Sequence, residues 1–405
     1  MRVFIADKFE QFGLDELKRI GCDVLYEPGK KGPDLVQALA NAKADVLVVR
    51  STKVTAETLD AVPGLSAVIR AGAGVDTIDV SAASSRGVLV ANCPGMNAVA
   101  VAELTFALIL CLDRRVPDAV AQLRAGQWNK AEFSKAAGLK GRSIGLIGLG
   151  PIGRAVAQRA NAFEMTVLGW SRSLADGAPV LPGIRLCRSA HDVVAYSDVV
   201  SVHLASTPDT RGFCDKDFFE AMKPGAYFIN TSRGDIVDAD ALANAIRKKG
   251  LRAGLDVYAS EPAQAQAEFH DPLFGLDGVV YGTPHIAAST EQAQIAIAAE
   301  TVRLIRVYNE TGRVENCVNL SPASTSSRML LVRHHNRPGV LAHVLGHISD
   351  AGINVEDMTN AILRDGQTAI ARIHLAAAPK ASLLEAIRKG NENVIAVSLV
   401  TPPTT

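Results

Sequence analysis

Short apolar runs alternate along the chain with longer segments in which apolar residues recur every three or four positions. The runs include residues 45–50, 67–70 and 87–91, and the longer segments include 14–20 and 34–42. Runs rich in β-branched residues predict buried strands, whereas the recurring segments predict helices. Strands that alternate with helices form parallel sheets, because each crossover helix covers one face of the sheet.

A second series of the same kind begins at residue 143. Its predicted strands are residues 143–147, 165–168, 199–203, 226–230, 252–256 and 279–281. The sequence therefore predicts two doubly wound, Rossmann-like α/β units with parallel sheets. Residues 319–326 are small, polar and proline-bearing, which indicates a linker. The segments after the linker predict the order βαββαβ of a ferredoxin-like domain.

Composition narrows the function classes. The 405 residues carry 48% hydrophobic and 21% charged residues with a net charge of zero, which gives no reason to expect nucleic acid as a partner. The six cysteines are scattered without metal-ligand spacing, so we expect no metal site. The chain starts in an apolar strand, and the apolar stretch 99–112 is too short to span a membrane. These features predict a cytoplasmic protein without membrane partners.

A glycine pattern lies between a predicted strand and a predicted helix. Gly148 and Gly150 are followed by Pro151, Ile152 and Gly153. In this context Gly148 allows a tight turn, Gly150 lets a pyrophosphate approach the backbone, and Gly153 lets the helix pack on the strand. The free N–H groups of the helix then favour the phosphates. The pattern predicts a dinucleotide site, and a purely structural glycine turn is the alternative.

The second strand of this unit lacks the acidic residue that usually accepts hydrogen bonds from the ribose of NAD. It ends instead in Ser171 and Arg172. A hydroxyl and a guanidinium can bind a 2'-phosphate, which a carboxylate would repel. These residues favour NADP(H). The alternative is that Arg172 is a solvated residue and that both cofactors are used.

Three side chains suited to the reduction of a 2-keto acid follow predicted strands of the second unit. Arg233 can hold a carboxylate and polarise the carbonyl, and His285 can protonate the new alkoxide. Glu261 can orient the imidazole and stabilise its protonated form. Taken singly, each has a structural explanation, such as a surface ion pair, a carboxylate at a helix start or a buried histidine.

Together these segments resemble the D-2-hydroxyacid dehydrogenase family, whose members combine a glycine loop with an Arg-Gly, a Glu-Pro and a Pro-His in this order. The resemblance implies that Arg233, Glu261 and His285 form a catalytic trio. It also implies that Asp256 lies near the nicotinamide carboxamide and that Thr231 lies near the cofactor. In that family NAD(H) is the usual cofactor, which the residues after the second strand do not favour here.

The same resemblance implies that the first domain supplies the substrate loops. The matching residues are Arg50, Ser51, Gly72, Ala73, Gly74, Val75 and Asn97. The backbone at residues 72–75 would bind the substrate carboxylate, and the side chains of Arg50, Ser51 and Asn97 would bind a phosphate end. The family's split arrangement implies a substrate domain of residues 1–97 and 284–318, with Gln294 reaching the cleft. Residues 98–283 would bind the dinucleotide.

Residues 327–405 resemble an ACT domain, the regulatory module of some members of the family. The resemblance places His334, Asn336 and Asn354 around an effector, L-serine, bound between paired domains. Side-chain amides suit an amino acid because they donate to a carboxylate and accept from an ammonium group. The asparagines could also simply cap turns. Paired domains imply a homo-oligomer, either a dimer or a tetramer.

Three functions remain open on this evidence. The first is reversible oxidation of 3-phospho-D-glycerate to 3-phosphohydroxypyruvate, the first step of L-serine biosynthesis, with inhibition by serine. The second is an NADPH-dependent glyoxylate or hydroxypyruvate reductase, which the residues Ser171 and Arg172 favour. The third is a nucleotide-responsive, corepressor-like binding protein, which the presence of all three trio residues disfavours.

Overall fold

The chain separates into two compact units, Met1–Asn319 and Leu320–Thr405. A computed structural model describes residues 1–172, 182–262, 264, 266–321, 328–364 and 366–400. Asn319 was expected to open the linker but is anchored in the first unit, where its side chain bonds to the backbone of Val88 and Val90. Residues 322–326 of the expected linker lie outside the described residues.

The first unit begins with a five-stranded parallel sheet in the order β2-β1-β3-β4-β5. Its strands are β1 (Arg2–Ile5), β2 (Asp23–Tyr26), β3 (Val46–Val49), β4 (Ala67–Arg70) and β5 (Leu89–Asn92). Its helices are α1 (Gln11–Arg19), α2 (Gly32–Ala42), α3 (Ala56–Asp60) and α4 (Val80–Ser85). The β3 residues are buried throughout, as expected of a strand covered on both faces.

A seven-stranded parallel sheet follows in the order β12-β11-β10-β9-β6-β7-β8. Its strands are β6 (Ser143–Ile147), β7 (Thr166–Trp170), β8 (Arg185–Leu186), β9 (Val199–Val202), β10 (Tyr227–Asn230), β11 (Arg252–Leu255) and β12 (Val280–Gly282). Its helices are α5 (Ala98–Arg114), α6 (Val116–Arg124), α7 (Lys130–Phe133), α8 (Pro151–Ala162), α9 (Ala190–Tyr196), α10 (Lys216–Ala221) and α11 (Ala239–Lys249). The strand order reverses between β6 and β9, where doubly wound sheets bind ligands.

Helix α12 (Glu291–Thr311) returns from the second sheet to the first. Its residues Ile297 and Ile305 share a buried cluster with Val3, Ile5 and Leu17 of the five-stranded sheet and its first helix. The five-stranded sheet therefore completes its core with residues that follow the whole of the seven-stranded sheet. The described helices include none that is long and apolar enough to cross a membrane.

The second unit contains the predicted βαββαβ order. Its elements are β13 (Met329–His335), α13 (Val340–Asp350), β14 (Val355–Ile362), β15 (Thr368–Leu375), α14 (Ala381–Lys389) and β16 (Val394–Val400). The strands form an antiparallel sheet in the order β14-β15-β13-β16, which is a ferredoxin-like arrangement. The predicted fold class is therefore confirmed for both units.

Candidate active site

The glycine loop after β6 has the geometry that each glycine was expected to provide. Gly148 has a φ of +100°, and a Cβ atom there would lie 2.5 Å from the carbonyl oxygen of His203. A Cβ atom on Gly153 would lie 2.1 Å from the carbonyl oxygen of Gly148. A Cβ atom on Gly150 would meet no atom of the described residues within 4 Å. Packing therefore requires two of the glycines, and the third borders open space.

Helix α8 begins directly at this open space. Gly150 is its N-cap residue, and Pro151 and Ile152 are its first two residues. Proline fits the first helical position because its missing N–H would have no partner inside the helix. The remaining free N–H groups of the first turn favour a negative charge at Gly150. The loop therefore fits the diphosphate of a nicotinamide dinucleotide.

The end of β7 carries an ion pair that the sequence did not predict. The Nη1 atom of Arg172 lies 3.0 Å from Oδ2 of Asp209, and both side chains are exposed. Asp209 belongs to the loop after β9 and lies 37 residues from Arg172 in sequence. A carboxylate therefore stands beside the guanidinium that was expected to bind a 2'-phosphate. The preference of Ser171 and Arg172 for NADP(H) stays a prediction.

His203 lies next to the glycine loop and is a second residue that sequence reasoning missed. Its Nε2 atom lies 3.0 Å from Oγ of Ser201, and its buried Nδ1 atom has no partner among the described residues. Burial lowers the pKa of His203 to about 4, so the ring is neutral at neutral pH. His203 directly follows a parallel strand, as the predicted site residues do, and this position could have identified it.

The predicted pair of His285 and Glu261 is formed. Nδ1 of His285 donates to Oε2 of Glu261 over 2.7 Å, and the Tyr258 amide donates to Oε1 over 3.0 Å. Burial alone would raise the pKa of Glu261, but these two hydrogen bonds and the nearby positive charges outweigh it and lower the pKa. Glu261 is therefore a carboxylate at neutral pH. It fixes the orientation of the imidazole, and proton exchange between Nε2 and a substrate stays a prediction.

Asp256 holds the segment that carries His285. Its carboxylate is buried and accepts hydrogen bonds from the Thr283 hydroxyl and from the amides of Ile286 and Ala287, over 2.6 to 2.9 Å. Its backbone carbonyl accepts the N–H of His285, which has a left-handed φ of +53°. Burial raises the pKa of Asp256. Contact with a nicotinamide carboxamide stays a prediction for this residue.

Arg233 reaches from the seven-stranded sheet to the glycine-rich loop of the five-stranded sheet. Its Nε and Nη2 atoms donate to Oδ2 of Asp76 over 2.9 and 2.7 Å. A Cβ atom on Gly74 would lie 2.3 Å from Nη2, so only glycine allows this approach. The structure thus brings Arg233 together with the predicted loop of Gly72, Ala73, Gly74 and Val75. Sequence reasoning did not foresee Asp76 as the partner.

Arg70 is a further cation near Arg233, and sequence reasoning missed it. Its Nε atom donates to the backbone oxygen of Arg50 over 3.1 Å. Burial, followed by the neighbouring charges of Arg233 and Arg50, lowers the pKa of Arg70. Three arginines therefore lie close together, with Asp76 as a nearby counter-charge. Arg70 is the last residue of β4, and the rule that ligands bind at strand ends could have identified it.

The remaining predicted residues of the first unit differ in their placement. The Oδ1 atom of Asn97 is buried without a partner among the described residues, and its contact with substrate stays a prediction. The buried hydroxyl of Thr231 lies 3.1 Å from that of Thr105. The side chain of Gln294 donates to the carbonyl of Ala288 over 2.9 Å, at the start of its own helix. Its contact with substrate stays a prediction.

One copy of the C-terminal unit does not bring the three predicted effector residues together. His334 is buried against Asn360, whereas Asn336 and Asn354 are exposed. The Asn336 amide bonds to Gln367 before β15, and the Asn354 carbonyl accepts from Ala376 after β15. Nine residues of extended chain at about 3.3 Å each separate these two points by about 30 Å.

Comparisons with known proteins agree with this geometry. Residues 106–287 match the model of the NAD binding domain of D-isomer specific 2-hydroxyacid dehydrogenases, and residues 328–389 match the ACT domain. A D-3-phosphoglycerate dehydrogenase of Haemophilus influenzae is 34% identical over 88% of this chain and 87% of its own length. The chain belongs to the D-isomer specific 2-hydroxyacid dehydrogenase family.

Two further similar proteins show how far the likeness extends. A D-3-phosphoglycerate dehydrogenase of Mycobacterium leprae is 40% identical over 78% of this chain, but the chain spans only 58% of that protein's length. The structure of an acyclic imino acid reductase in complex with NADPH and D-Arg is 27% identical, with a TM-score of 0.69. The match covers 78% of this chain and 100% of the reductase.

Proposed function

We propose that the chain catalyses the reversible oxidation of 3-phospho-D-glycerate to 3-phosphohydroxypyruvate, the first step of L-serine biosynthesis. The observation that carries this proposal is the cluster of Arg50, Arg70 and Arg233, in which the charge of Arg233 also acts on Glu261 of the pair with His285. A substrate with a carboxylate at one end and a phosphate at the other matches several cations placed together. The curated relatives named D-3-phosphoglycerate dehydrogenase support the same substrate.

The side chains divide the reaction between them. Arg233 binds the substrate carboxylate and the C2 oxygen, exchanging part of its bond to Asp76 for the substrate. Nε2 of His285 takes the proton of the C2 hydroxyl, and the carboxylate of Glu261 stabilises the resulting imidazolium. A nicotinamide dinucleotide, whose diphosphate the loop at Gly148, Gly150 and Gly153 would hold, would supply the acceptor for the C2 hydrogen and its electron pair as a hydride. The reverse reaction returns both to the keto acid.

The cofactor follows from the end of β7. The serine and arginine there favour NADP(H), whereas the pairing of Arg172 with Asp209 weighs toward NAD(H), and we propose that both are used. Changing Ser171→Asp together with Arg172→Pro should move the ratio of specificity constants toward NADH, since it adds a ribose acceptor and removes a phosphate partner. An unchanged ratio would show that the 2'-position is recognised elsewhere.

The test of the main proposal is a matrix of steady-state rates. Phosphohydroxypyruvate, hydroxypyruvate and glyoxylate are each compared with NADH and with NADPH. The highest kcat/KM should belong to phosphohydroxypyruvate, because the extra arginines bind its phosphate. A preference for glyoxylate or hydroxypyruvate with NADPH would support the reductase that Ser171 and Arg172 favour. Absence of turnover with all three would leave a binding protein.

We also propose that L-serine binds between two copies of the C-terminal unit in a homo-oligomer. The separation of about 30 Å between the attachment points of Asn336 and Asn354 supports this, since a small amino acid can touch both only across two copies. An apolar patch on α6 and the loop after it offers a second self-association surface. It contains Leu123, 57% exposed, and Trp128, 82% exposed.

Calorimetry with L-serine and glycine, combined with sedimentation, tests this second proposal. Serine should bind the full chain, lower its activity and bind less well to Asn336→Ala and Asn354→Ala. A typical coupling of about 1–3 kcal/mol corresponds to a change of about 5- to 150-fold in substrate affinity. The proposal would be wrong if sedimentation showed a monomer, or if calorimetry detected no binding of any amino acid at millimolar concentration.

A further inference from the structure

Asp7 follows β1 and binds the loop that follows the neighbouring strand β3. Its Oδ2 atom accepts the backbone N–H groups of Arg50, Ser51 and Thr52 over 2.6, 3.1 and 3.0 Å. Its Oδ1 atom accepts the hydroxyls of Ser51 and Thr52 over 3.3 and 3.0 Å. One carboxylate therefore receives five hydrogen bonds from three consecutive residues.

Three successive N–H groups that converge on one atom form a concave site for an anion. Here the anion belongs to the protein itself, and charge-assisted bonds of this kind are stronger than bonds between neutral groups. Burial alone would raise the pKa of Asp7, but the backbone and hydroxyl donors outweigh it and lower the pKa. Asp7 therefore stays charged at neutral pH and keeps the loop folded around it.

The loop that Asp7 holds determines the positions of two of the three arginines in the site, Arg50 and Arg70. The backbone of Arg50 is fixed by its N–H to Asp7, and its carbonyl accepts the Nε of Arg70. A shift of this peptide would move both guanidinium groups. The hydroxyl of Ser51 donates to Asp7, so its hydrogen is not the one that meets a substrate phosphate.

We propose that Asp7 is a positioning residue that sets Arg50 and Arg70 for the phosphate end of the substrate. This inference rests on the proposed function, because it assigns the two arginines to a substrate anion. Asp7 itself makes no contact with substrate or cofactor in this scheme. Its effect is expected in substrate affinity, whereas the proton transfer at His285 stays intact.

Asp45 provides a matched control at the opposite end of the same two strands. It accepts the backbone N–H of Arg2 over 2.7 Å and, like the Asp7 contact with Arg50, joins residues 43 positions apart. If Asp7 only joined β1 to β3, its removal should affect KM as little as the removal of Asp45. The variants to compare are therefore Asp7→Ala, Asp7→Asn and Asp45→Ala in the full chain.

Asp7→Ala should raise KM for 3-phospho-D-glycerate about 10- to 100-fold with kcat changed less than about threefold, as loss of charge-assisted bonds predicts. Asp7→Asn retains a carbonyl acceptor and should have a smaller effect, which keeps the test valid if the alanine variant folds poorly. Asp45→Ala should leave KM unchanged. Formate, a small carboxylate, should partly restore KM in Asp7→Ala by binding to the vacated N–H groups.

Hydrogen exchange separates this inference from the proposed reaction. Amides of residues 50–52 should exchange faster in Asp7→Ala than in the parent or in Asp45→Ala. Unchanged exchange, or an equal change of KM in Asp7→Ala and Asp45→Ala, would overturn the positioning role. If the parent shows no turnover with any 2-hydroxy acid, the proposed function fails, and calorimetry with 3-phospho-D-glycerate then tests Asp7 by binding alone.

Discussion

The two ends of the seven-stranded sheet use polar residues in opposite ways. At the amino ends of the strands, the carboxylate of Asp113 is only 2% exposed and accepts bonds from the Gly138 amide and the Tyr227 hydroxyl. Arg142 and Arg252 lie over the Tyr227 ring, 4.4 and 5.4 Å from its centre. This end is a closed, mostly hydrogen-bonded network, in which the buried Nη1 atom of Arg142 has no hydrogen-bond partner among the described residues.

At the carboxyl ends Asp256 is buried, but His285, Glu261 and Arg233 stay partly open to solvent. The side chain of His285 is 49% exposed and that of Glu261 is 32% exposed, although the two are bonded to each other. Arg233 also remains partly accessible beside Asp76. A closed network stabilises a fold, whereas open and oriented charges stabilise a ligand. Substitutions at the two ends should therefore separate stability from activity.

The largest effect is expected for His285→Ala, which removes the proton acceptor. Turnover should fall by about 100-fold or more while cofactor binding and melting temperature remain near those of the parent. His191→Ala, an exposed histidine on α9, is the matched control and should keep full turnover. Near-normal turnover of His285→Ala would contradict its assignment.

Asp113→Ala tests the closed end. Removing a buried carboxylate leaves the Gly138 amide and the Tyr227 hydroxyl without their acceptor and Arg142 without its ion-pair partner, and should cost about 3 kcal/mol of unfolding free energy. Asp118→Ala breaks a partly exposed pair with Arg115 and should cost less than about 1 kcal/mol. Urea titration measures both, and KM should be unchanged in each. A changed KM or a lower kcat without a loss of stability would contradict the separation of stability from activity.

Arg233→Lys keeps the charge but loses the planar, two-atom contact. Both kcat and KM should worsen, with a loss of about 10- to 100-fold in kcat/KM, because lysine cannot bind a carboxylate through two fixed donors. Arg211→Lys, at an exposed pair with Asp235, should change neither constant. Unchanged kinetics of the first variant would show that another cation binds the carboxylate.

The smallest effect is a pH dependence at the closed end. Burial alone would raise the pKa of Asp198, but bonds from Lys223 and Ser143 outweigh it and lower the pKa to about 2. A folded-state pKa below the unfolded value stabilises the fold above about pH 4, and this contribution disappears as pH falls toward 2. Asp198→Asn should therefore be less stable by about 1–2 kcal/mol at pH 6.

That difference should be mostly lost near pH 2, where about half of the parent carboxylate is also protonated. Chemical denaturation of parent and variant at pH 6, 4 and 2 measures it. A difference that stays constant across this range would mean that the charge of Asp198 contributes nothing and that the shape of the side chain accounts for the loss.

The features that sequence predicted correctly are those fixed by neighbours in the chain. Gly153 meets a steric limit set by the carbonyl of Gly148 in the same loop, and the parallel sheets follow from the alternation of apolar runs. His285 and Glu261 were placed together because both follow neighbouring strands. Strand ends meet at one edge of a parallel sheet, whatever the loop lengths.

The residues that were missed depend on which distant strands become neighbours. Asp7 acts on a loop 43 residues away because β1 lies beside β3, and no local pattern encodes that pairing. Asp209 approaches Arg172 for the same kind of reason. The separation of Asn336 from Asn354 follows from the register of β15 with its neighbours, which spacing in the sequence does not reveal.

The return of α12 to the five-stranded sheet has a consequence for synthesis of the chain. Residues 1–97 cannot bury Val3 and Leu17 against Ile297 and Ile305 until about 200 further residues have been translated. At typical elongation rates this takes roughly 10 to 40 seconds, during which apolar positions of the sheet remain uncovered. We therefore expect ribosome-bound chains stalled before residue 291 to be cut by protease within residues 1–97, and chains stalled well beyond residue 319 to resist.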